Sequence, residues 1–425
     1  MMLKKEKRDG WFSATTYQHF DLPWTFEQAR SFVVDDRNIE KHGFLPFLAF
    51  SIVYRRIDGT IKEREIKIAG NRDSSIYSYF AKVINEKYEE TLKANGLSNC
   101  VTAYRANLGN NITFAKEVFD EIEKRGGCTV LCQDIKGFFD NLDHKILKDQ
   151  WQELNGTQRL NAAEYAVFRS ITKFAWVDRK SCFLRLGYNQ KQRKRRPICS
   201  NDEFRNLVKG RDGRHQSLVN INRNSYGIPQ GTAISACLAN VYMLPFDKRI
   251  QEECNKVGGL YRRYSDDILC IFPPRYETQI HSLLKQQIGY LKLEFQSKKT
   301  TITHFERCTD NTLALRVGEK PLQYLGFTFD GQSRLLRAQT LSRYWAKAIK
   351  AINTANKDCL KAGRKGRQNK VFRRQLYSRY THLGKLNFIS YVKKCARILN
   401  GGPYKKTKLW KQIKNHFAKI DRRIH

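Results

Sequence analysis

Acid is what this sequence is short of: 41 Asp and Glu stand against 78 Lys and Arg, a formal net charge of +37 over 425 residues. An excess of that size describes a surface for polyanions rather than a fold. Long apolar runs are missing too. The longest, Phe44 to Tyr54, is too short to cross a bilayer, and no one-sided amphipathic helix offers an interfacial anchor. Met1 to Trp11 is charged and lacks the apolar core of a secretory signal. A membrane partner is therefore not expected, and a cytoplasmic location is. The 11 cysteines include no CxxC pair, Cys128 and Cys132 coming nearest, so reduced thiols are expected and a zinc site is not. Internal repeats and low-complexity tails are also absent.

What is present favours nucleic acid. The 20 tyrosines and 25 phenylalanines interleave with basic residues, the mixture that base stacking requires. The chain is organised around Leu260 to Phe272, where two runs of β-branched and aromatic residues flank Ser265-Asp266-Asp267. That pattern predicts a hairpin with its acids at the tip. Adjacent carboxylates raise each other's pKa, and a divalent cation relieves them; oxygen-only ligation suits Mg²⁺. The plain alternative is a solvated turn. Hydrophobic strands on both sides, in so basic a chain, count against it.

Along the chain, Arg55 to Ile68 predicts a hairpin turning at Asp58-Gly59. Ser74 to Leu92 has helical spacing, with Ile76, Tyr79, Phe80, Val83, Ile84 and Tyr88 on one core-packing face. A helix over Asn111 to Arg125 should stop at Gly126-Gly127. Cys128 to Gln133 reads as a buried strand leading into Asp134, and Asp143 as the cap of the next helix. From about Arg185 to Arg223 a basic insertion, including Lys191 to Pro197, is either a solvated loop or a phosphate-contacting arm. Gly227 to Gly231 is a turn, from which Thr232 starts one helix to about Lys256. Tyr276 to Tyr290 is helical, strand-like runs follow within Leu291 to Phe305, and Leu322 to Asp330 is hairpin-like. From Leu335 to His425 the chain is mainly helical and so lopsidedly basic, with a loop at Lys361 to Lys370, that it reads as a nucleic-acid grip.

Nucleotidyl transfer by two metals needs carboxylates from separate strands that converge on one point. Asp134 and the Asp266-Asp267 tip supply such a set. In chain order, Asp134-Ile135-x-x-Phe138-Phe139-Asp140, Gly227-x-Pro229-Gln230-Gly231, Tyr264-Ser265-Asp266-Asp267, Lys299-Thr300 and Tyr324-Leu325-Gly326-Phe327 resemble the motif series of reverse transcriptases. Ala103-Tyr104-Arg105 followed by Gly109 is similar to a fingers motif of bacterial and group II intron-type enzymes. The similarity covers roughly residues 55 to 330.

This resemblance implies an α+β right-hand polymerase fold. An N-terminal region and fingers (1–127) would precede a palm of antiparallel sheet plus helices (128–334, with the insertion at about 185–223) and a basic helical thumb (335–425). It implies Asp134, Asp266 and Asp267 as catalytic carboxylates holding two Mg²⁺ ions, for which Mn²⁺ can substitute, with the backbone carbonyl of Ile135 as a further ligand. Lys299 would protonate the leaving pyrophosphate, with Lys298 competing for that role. Nucleotide contacts would come from Lys62, Arg64, Gln230 and Phe139, the last a steric gate against the ribose 2′-hydroxyl. Of Phe138 and Phe139, one is expected in the core. Tyr104 and Arg105 would contact template, and Tyr324, Leu325 and Gly326 would grip the primer.

Second acidic constellations, Cys/His-rich endonuclease segments, integrase regions and retron signatures are not found. The remaining pattern looks most like the defence-associated reverse transcriptases of bacteria, in particular the type 2 group. The partners so implied are a structured non-coding RNA template, its cDNA and dNTPs, with antiphage action; oligomeric state is left open. Two alternatives share the palm: an RNA-directed RNA polymerase, and a catalytically silent RNA-binding module. Ser265 and Phe139 count against the first, because such polymerases usually carry Gly before the acid pair and a polar gate. The cost of retaining like charges without metal counts against the second.

Overall fold

A computed structural model describes residues 10–15, 17–55, 59–106, 108–188, 196–363 and 371–424. Two strands, β1 (Phe47–Arg55) and β2 (Ile61–Ile68), form the expected antiparallel hairpin, with Ile52 opposite Arg64. Residues 56–58, including Asp58 of the expected turn, lie outside the described residues, as does the side chain of Lys62. Helix α1 (Asn71–Ala94) buries Ile76, Tyr77, Phe80, Ile84 and Tyr88; Tyr79 and Val83, expected on that face, sit half-buried at its margin. Helix α2 (Asn111–Arg125) begins with a reciprocal cap between Asn110 and Thr113 and stops at Gly126, as expected.

The chain then enters β3 (Cys128–Asp134). Asp143 caps α3 (His144–Asn155), accepting from the amides of Lys145 and Ile146, as its sequence position predicts. β4 (Ala175–Asp178) runs parallel to β1, and β5 (Asn220–Ile221) pairs antiparallel with β4. The described part of the basic insertion between them is folded around apolar residues of its own. Ile198 and Val208 are buried with Phe20, Leu48, Val177 and Cys182, and Phe204, Leu218 and Val219 pack against them. Its apolar residues are too widely spaced to signal an element, but tertiary packing gathers them. Lys191 to Arg195 lie outside the described residues.

The single helix expected from Thr232 to Lys256 is two, α4 (Ala233–Tyr242) and α5 (Leu244–Lys256), separated at Met243. Pro245, in the first turn of α5, supplies no N–H and clashes with a preceding turn, so the helix restarts there. β6 (Leu260–Tyr264) and β7 (Asp267–Phe272) form the central hairpin; α6 (Glu277–Tyr290), β8 (Thr301–Arg307) and β9 (Leu313–Leu315) follow. These strands make an antiparallel sheet in the order β6-β7-β3-β8-β9. A smaller sheet holds β10 (Leu322–Tyr324), β11 (Phe327–Phe329) and β12 (Arg334–Leu336). The basic C-terminal region is helical, with α7 (Ala338–Gly363), α8 (Arg373–Tyr380) and α9 (Phe388–Asn400) its longer helices. Residues 364–370 of its expected loop lie outside the described residues.

The strand period of two divides the central sheet. Leu131, Ile268, Cys270 and Phe272 pack with α1 and α3 to α6. Val130, Leu269 and Ile271 pack on the other face with Val118 and Phe119 of α2, the β10–β12 sheet, and Ile389 and Val392 of α9. Asp134 and Asp267 continue that second apolar row to its end. Among the described residues, no helix is long and apolar enough to cross a membrane, and the 11 cysteines form no disulfide.

Candidate active site

Asp134 is the last residue of β3, Asp267 the first of β7, and the two are direct cross-strand partners. Such partners have Cα atoms about 4.5–5.5 Å apart and side chains on one face. Asp266 sits in the turn before Asp267, and its carbonyl accepts from the amide of Ile135 at 3.1 Å. Asp134 and the Asp266-Asp267 pair, remote from it in sequence, therefore stand together. Burial, then the charges of Asp266 and Asp134, push the Asp267 carboxyl up to about 7. Asp266 is raised as well, chiefly by burial and then by Asp134, against the opposing charges of Lys299 and Arg64.

The Lys299 ammonium forms a salt bridge with Asp134. Lys298, its competitor in the sequence, is exposed as Lys299 is, and the salt bridge alone distinguishes the two. The amides of Lys136 and Gln296 bond to the carbonyls of Glu294 (2.9 Å) and Asp134 (2.8 Å). These bonds bracket Ile135, itself buried, and its carbonyl takes part in neither of them. With that carbonyl, the three carboxylates would offer oxygen donors alone, the kind that hard divalent cations take. Among the described residues no three His, Cys, Asp or Glu side chains are already gathered into a metal cage. Positive charge relieves the repulsion among neighbouring acids, and the ammonium of Lys299 on Asp134 supplies some of it here. The donors fit Mg²⁺.

Of the aromatic pair, Phe138 is buried in the core and Phe139 is half-buried beside it, ring centroids 5.5 Å apart. The Phe139 carbonyl accepts from the Ile228 amide at 2.9 Å, and the Gln230 carbonyl accepts from Lys67 of β2 at 3.0 Å. The Gly227–Gly231 turn thus ties the β1–β2 hairpin to the segment carrying Phe139. Gly227 has a φ of +87° and an added Cβ would lie 2.9 Å from the Asp140 carbonyl oxygen, so a larger residue would separate the two segments. Arg64 is exposed on β2 and close enough to Asp266 to counter its rise.

The Leu325-Gly326 turn joins β10 to β11, with φ of +45° and +92°, the positive pair that a two-residue hairpin of this hand demands. The Leu325 carbonyl accepts from Asn111, whose side chain also donates to the Tyr391 hydroxyl, so α2, this turn and α9 are locked together. Tyr324 is buried and belongs to the packing under the acids. The structure does not bring Arg105 out to the solvent. Its guanidinium donates to both oxygens of Glu89 and to the carbonyls of Ser98 and Val101, with only 2% of the side chain exposed. Tyr104, next to it, is 46% exposed.

Sequence reasoning missed the support beneath the acid turn. Arg263, wholly buried, donates to both carboxylate oxygens of Asp247 at 2.7 and 2.6 Å and to the Asn240 side chain at 3.1 Å. It also reaches the Ser265 carbonyl at 3.2 Å, and Tyr261 donates to Asp247 at 2.6 Å. A signal was available: Asp247 shares the helical face of Leu244, Ile250 and Cys254, an apolar stripe where an acid needs a buried partner.

The family model for reverse transcriptase (RNA-dependent DNA polymerase) matches residues 69–329. None of the curated proteins matches the chain. Among solved structures, the chain is similar at 12% identity and a TM-score of 0.44 to telomerase from Candida albicans in complex with a fragment of telomeric RNA, covering 93% of this chain and 59% of that one. It is similar at 10% identity and a TM-score of 0.44 to a truncated apo telomerase from Candida tropicalis, covering 74% and 61%. The chain spans about six tenths of the length of these solved chains.

Proposed function

This chain belongs to the reverse transcriptase (RNA-dependent DNA polymerase) family and has its mixed α+β fold, and from that premise we propose that it copies an RNA template into DNA. The observation that carries the reading is the register of β3 against β7, which sets Asp134 opposite Asp267 with Asp266 beside them. Asp134, Asp266, Asp267 and the Ile135 carbonyl would hold two Mg²⁺ ions. Bound there, the metal would supply Lewis acidity toward the attacking 3′-hydroxyl and the phosphates. Lys299, once free of Asp134, would give its proton to the leaving pyrophosphate. Arg64 and Lys62 on the hairpin bind the triphosphate, where a guanidinium fork suits phosphate. Phe139 closes the sugar pocket against a 2′-hydroxyl, and Gln230 borders the incoming nucleotide. Leu325 and Gly326, with Tyr324 beneath them, hold the primer end.

Residues 1–127, 128–334 and 335–425 then act as fingers, palm and thumb. Tyr104 touches template while Arg105 holds its loop. The narrower reading is a bacterial enzyme of the defence-associated kind, working in the cytoplasm on a structured non-coding RNA. It draws on the resemblance in the motif series, the folded basic insertion and the basic helical C-terminal region. The deciding experiment is to purify the protein from its host and sequence the RNA and DNA that accompany it, then supply dNTPs or rNTPs. Magnesium-dependent dNTP incorporation templated by one structured RNA is expected. Incorporation of rNTPs in preference, or of neither, would overturn the proposal.

A further inference from the structure

Tyr104 and Ser265 both have a φ of +61°, a backbone region that costs a residue with a Cβ of order 1–3 kcal/mol and persists only where the surroundings enforce it. They are 161 positions apart and share a hydrogen bond of 3.0 Å between phenol and hydroxyl. Each is held from behind. The amide and hydroxyl of Thr102 both donate to the Arg263 carbonyl, at 2.9 and 3.1 Å, and Asn240 donates to the Ala103 carbonyl at 3.0 Å. Arg263, clamped by Asp247, supports the Ser265 carbonyl. The loop carrying Tyr104 and the turn carrying Asp266 are therefore mounted on one rigid base, and the phenol–hydroxyl bond joins their tips. Ser265 is buried, whereas Tyr104 keeps 46% of its surface open, enough to offer its ring to a base.

We propose that Tyr104 and Ser265 form a positioning latch: a correctly paired nascent base pair resting on the Tyr104 ring keeps its phenol on Ser265, and that bond holds Asp266 where synthesis needs it. A mispair displaces the ring, breaks the bond and lets the turn relax. The pair thus converts base-pair geometry into rate. Both residues are positioning residues, acting through Asp266. The inference rests on the polymerase reading above.

The test uses the full chain with an RNA template and a DNA primer, comparing Tyr104→Phe, Ser265→Gly and the double variant. Each single change should lower kcat for the correct nucleotide about tenfold, the value of one hydrogen bond, and leave KM within about twofold. Mismatched incorporation, which already lacks the bond, should be unchanged, so discrimination falls by the same factor. The double variant should match the singles, because only one bond is lost. Ser265→Gly is the discriminating variant: glycine adopts a positive φ freely, so a purely conformational role predicts an unchanged or higher kcat. Multiplicative effects in the double variant, or a normal kcat in Tyr104→Phe, would overturn the latch. If the wild-type chain extends no primer, the polymerase reading fails and the latch with it; if it extends and the variants match it, the latch alone fails.

Discussion

Asp134 and Lys299, 165 positions apart, form a salt bridge at the end of β3, the middle strand of the central sheet. The ammonium is the counter-charge that Asp134 holds while Asp266 and Asp267, both raised, share the remaining repulsion. The two consequences are separable. On the proposed reading the acids would hold a cation, and the lysine would give up Asp134 to it.

Replacing Asp266 and Asp267 together with Asn should abolish synthesis, a loss on the order of a thousandfold or more, since several kcal/mol of charge stabilisation go with the metal. RNA affinity should be unchanged, because it rests on basic residues elsewhere. Primer extension beside filter binding measures both; retained synthesis would refute the two-metal assignment.

Lys299→Met should lower kcat about a hundredfold, the scale of a lost general acid, and tighten magnesium binding by removing its competitor at Asp134. Lys298→Met, altering an exposed side chain, should leave kcat within about twofold. Single-turnover rates over a magnesium titration separate the two lysines.

Phe139→Ala should admit ribonucleotides with little loss of stability, read as the ratio of rNTP to dNTP incorporation. Phe138→Ala, at a residue only 4% exposed, should instead destabilise by about 3–5 kcal/mol. An unchanged ratio in Phe139→Ala would make that ring a packing residue.

Acidity at Asp267 has a definite sign. Its folded pKa, about 7, lies above the ordinary 3.8, so ionising it opposes folding. The metal-free protein should lose stability as pH rises from about 4 to about 7 and level off above that. Because the side chain is partly exposed, the loss is discounted to about 1–2 kcal/mol. Asp267→Asn should raise the Tm of the metal-free protein at pH 8 and not at pH 4, and magnesium should stabilise only the wild type. Melting curves at the two pH values, with magnesium and with chelator, check this.

Asp247→Leu strands a buried guanidinium and should cost about 3–5 kcal/mol. Adding Arg263→Met should restore most of that stability without restoring synthesis, since the Ser265 carbonyl still lacks its support. Denaturant midpoints beside extension rates distinguish the two outcomes.

The acid hairpin, the helix over 111–125 and the cap at Asp143 were legible because each depends on neighbours a few residues away: alternation, turn formers, a side chain reaching the next amides. The helix break at Met243 was readable in Pro245 but hidden under an apolar run that continues past it. The core of the insertion was not readable. Ile198, Val208 and Leu218 stand ten residues apart, too far to mark the face of one helix or strand, and they meet because β1 and β4 provide a floor. Arg105 reads as a free cation in sequence, whereas its partners Glu89, Ser98 and Val101 are chosen by the course of the chain.

By itself, then, the sequence determined the local elements, the polyanion-binding charge and the order of the motifs, all set by short-range spacing. Tertiary structure decided which acids face one another, which cation balances them, and that Tyr104 leans on Ser265. Such pairings span 100 residues or more, and only the packing of β3 between β7 and β8 brings their ends within reach.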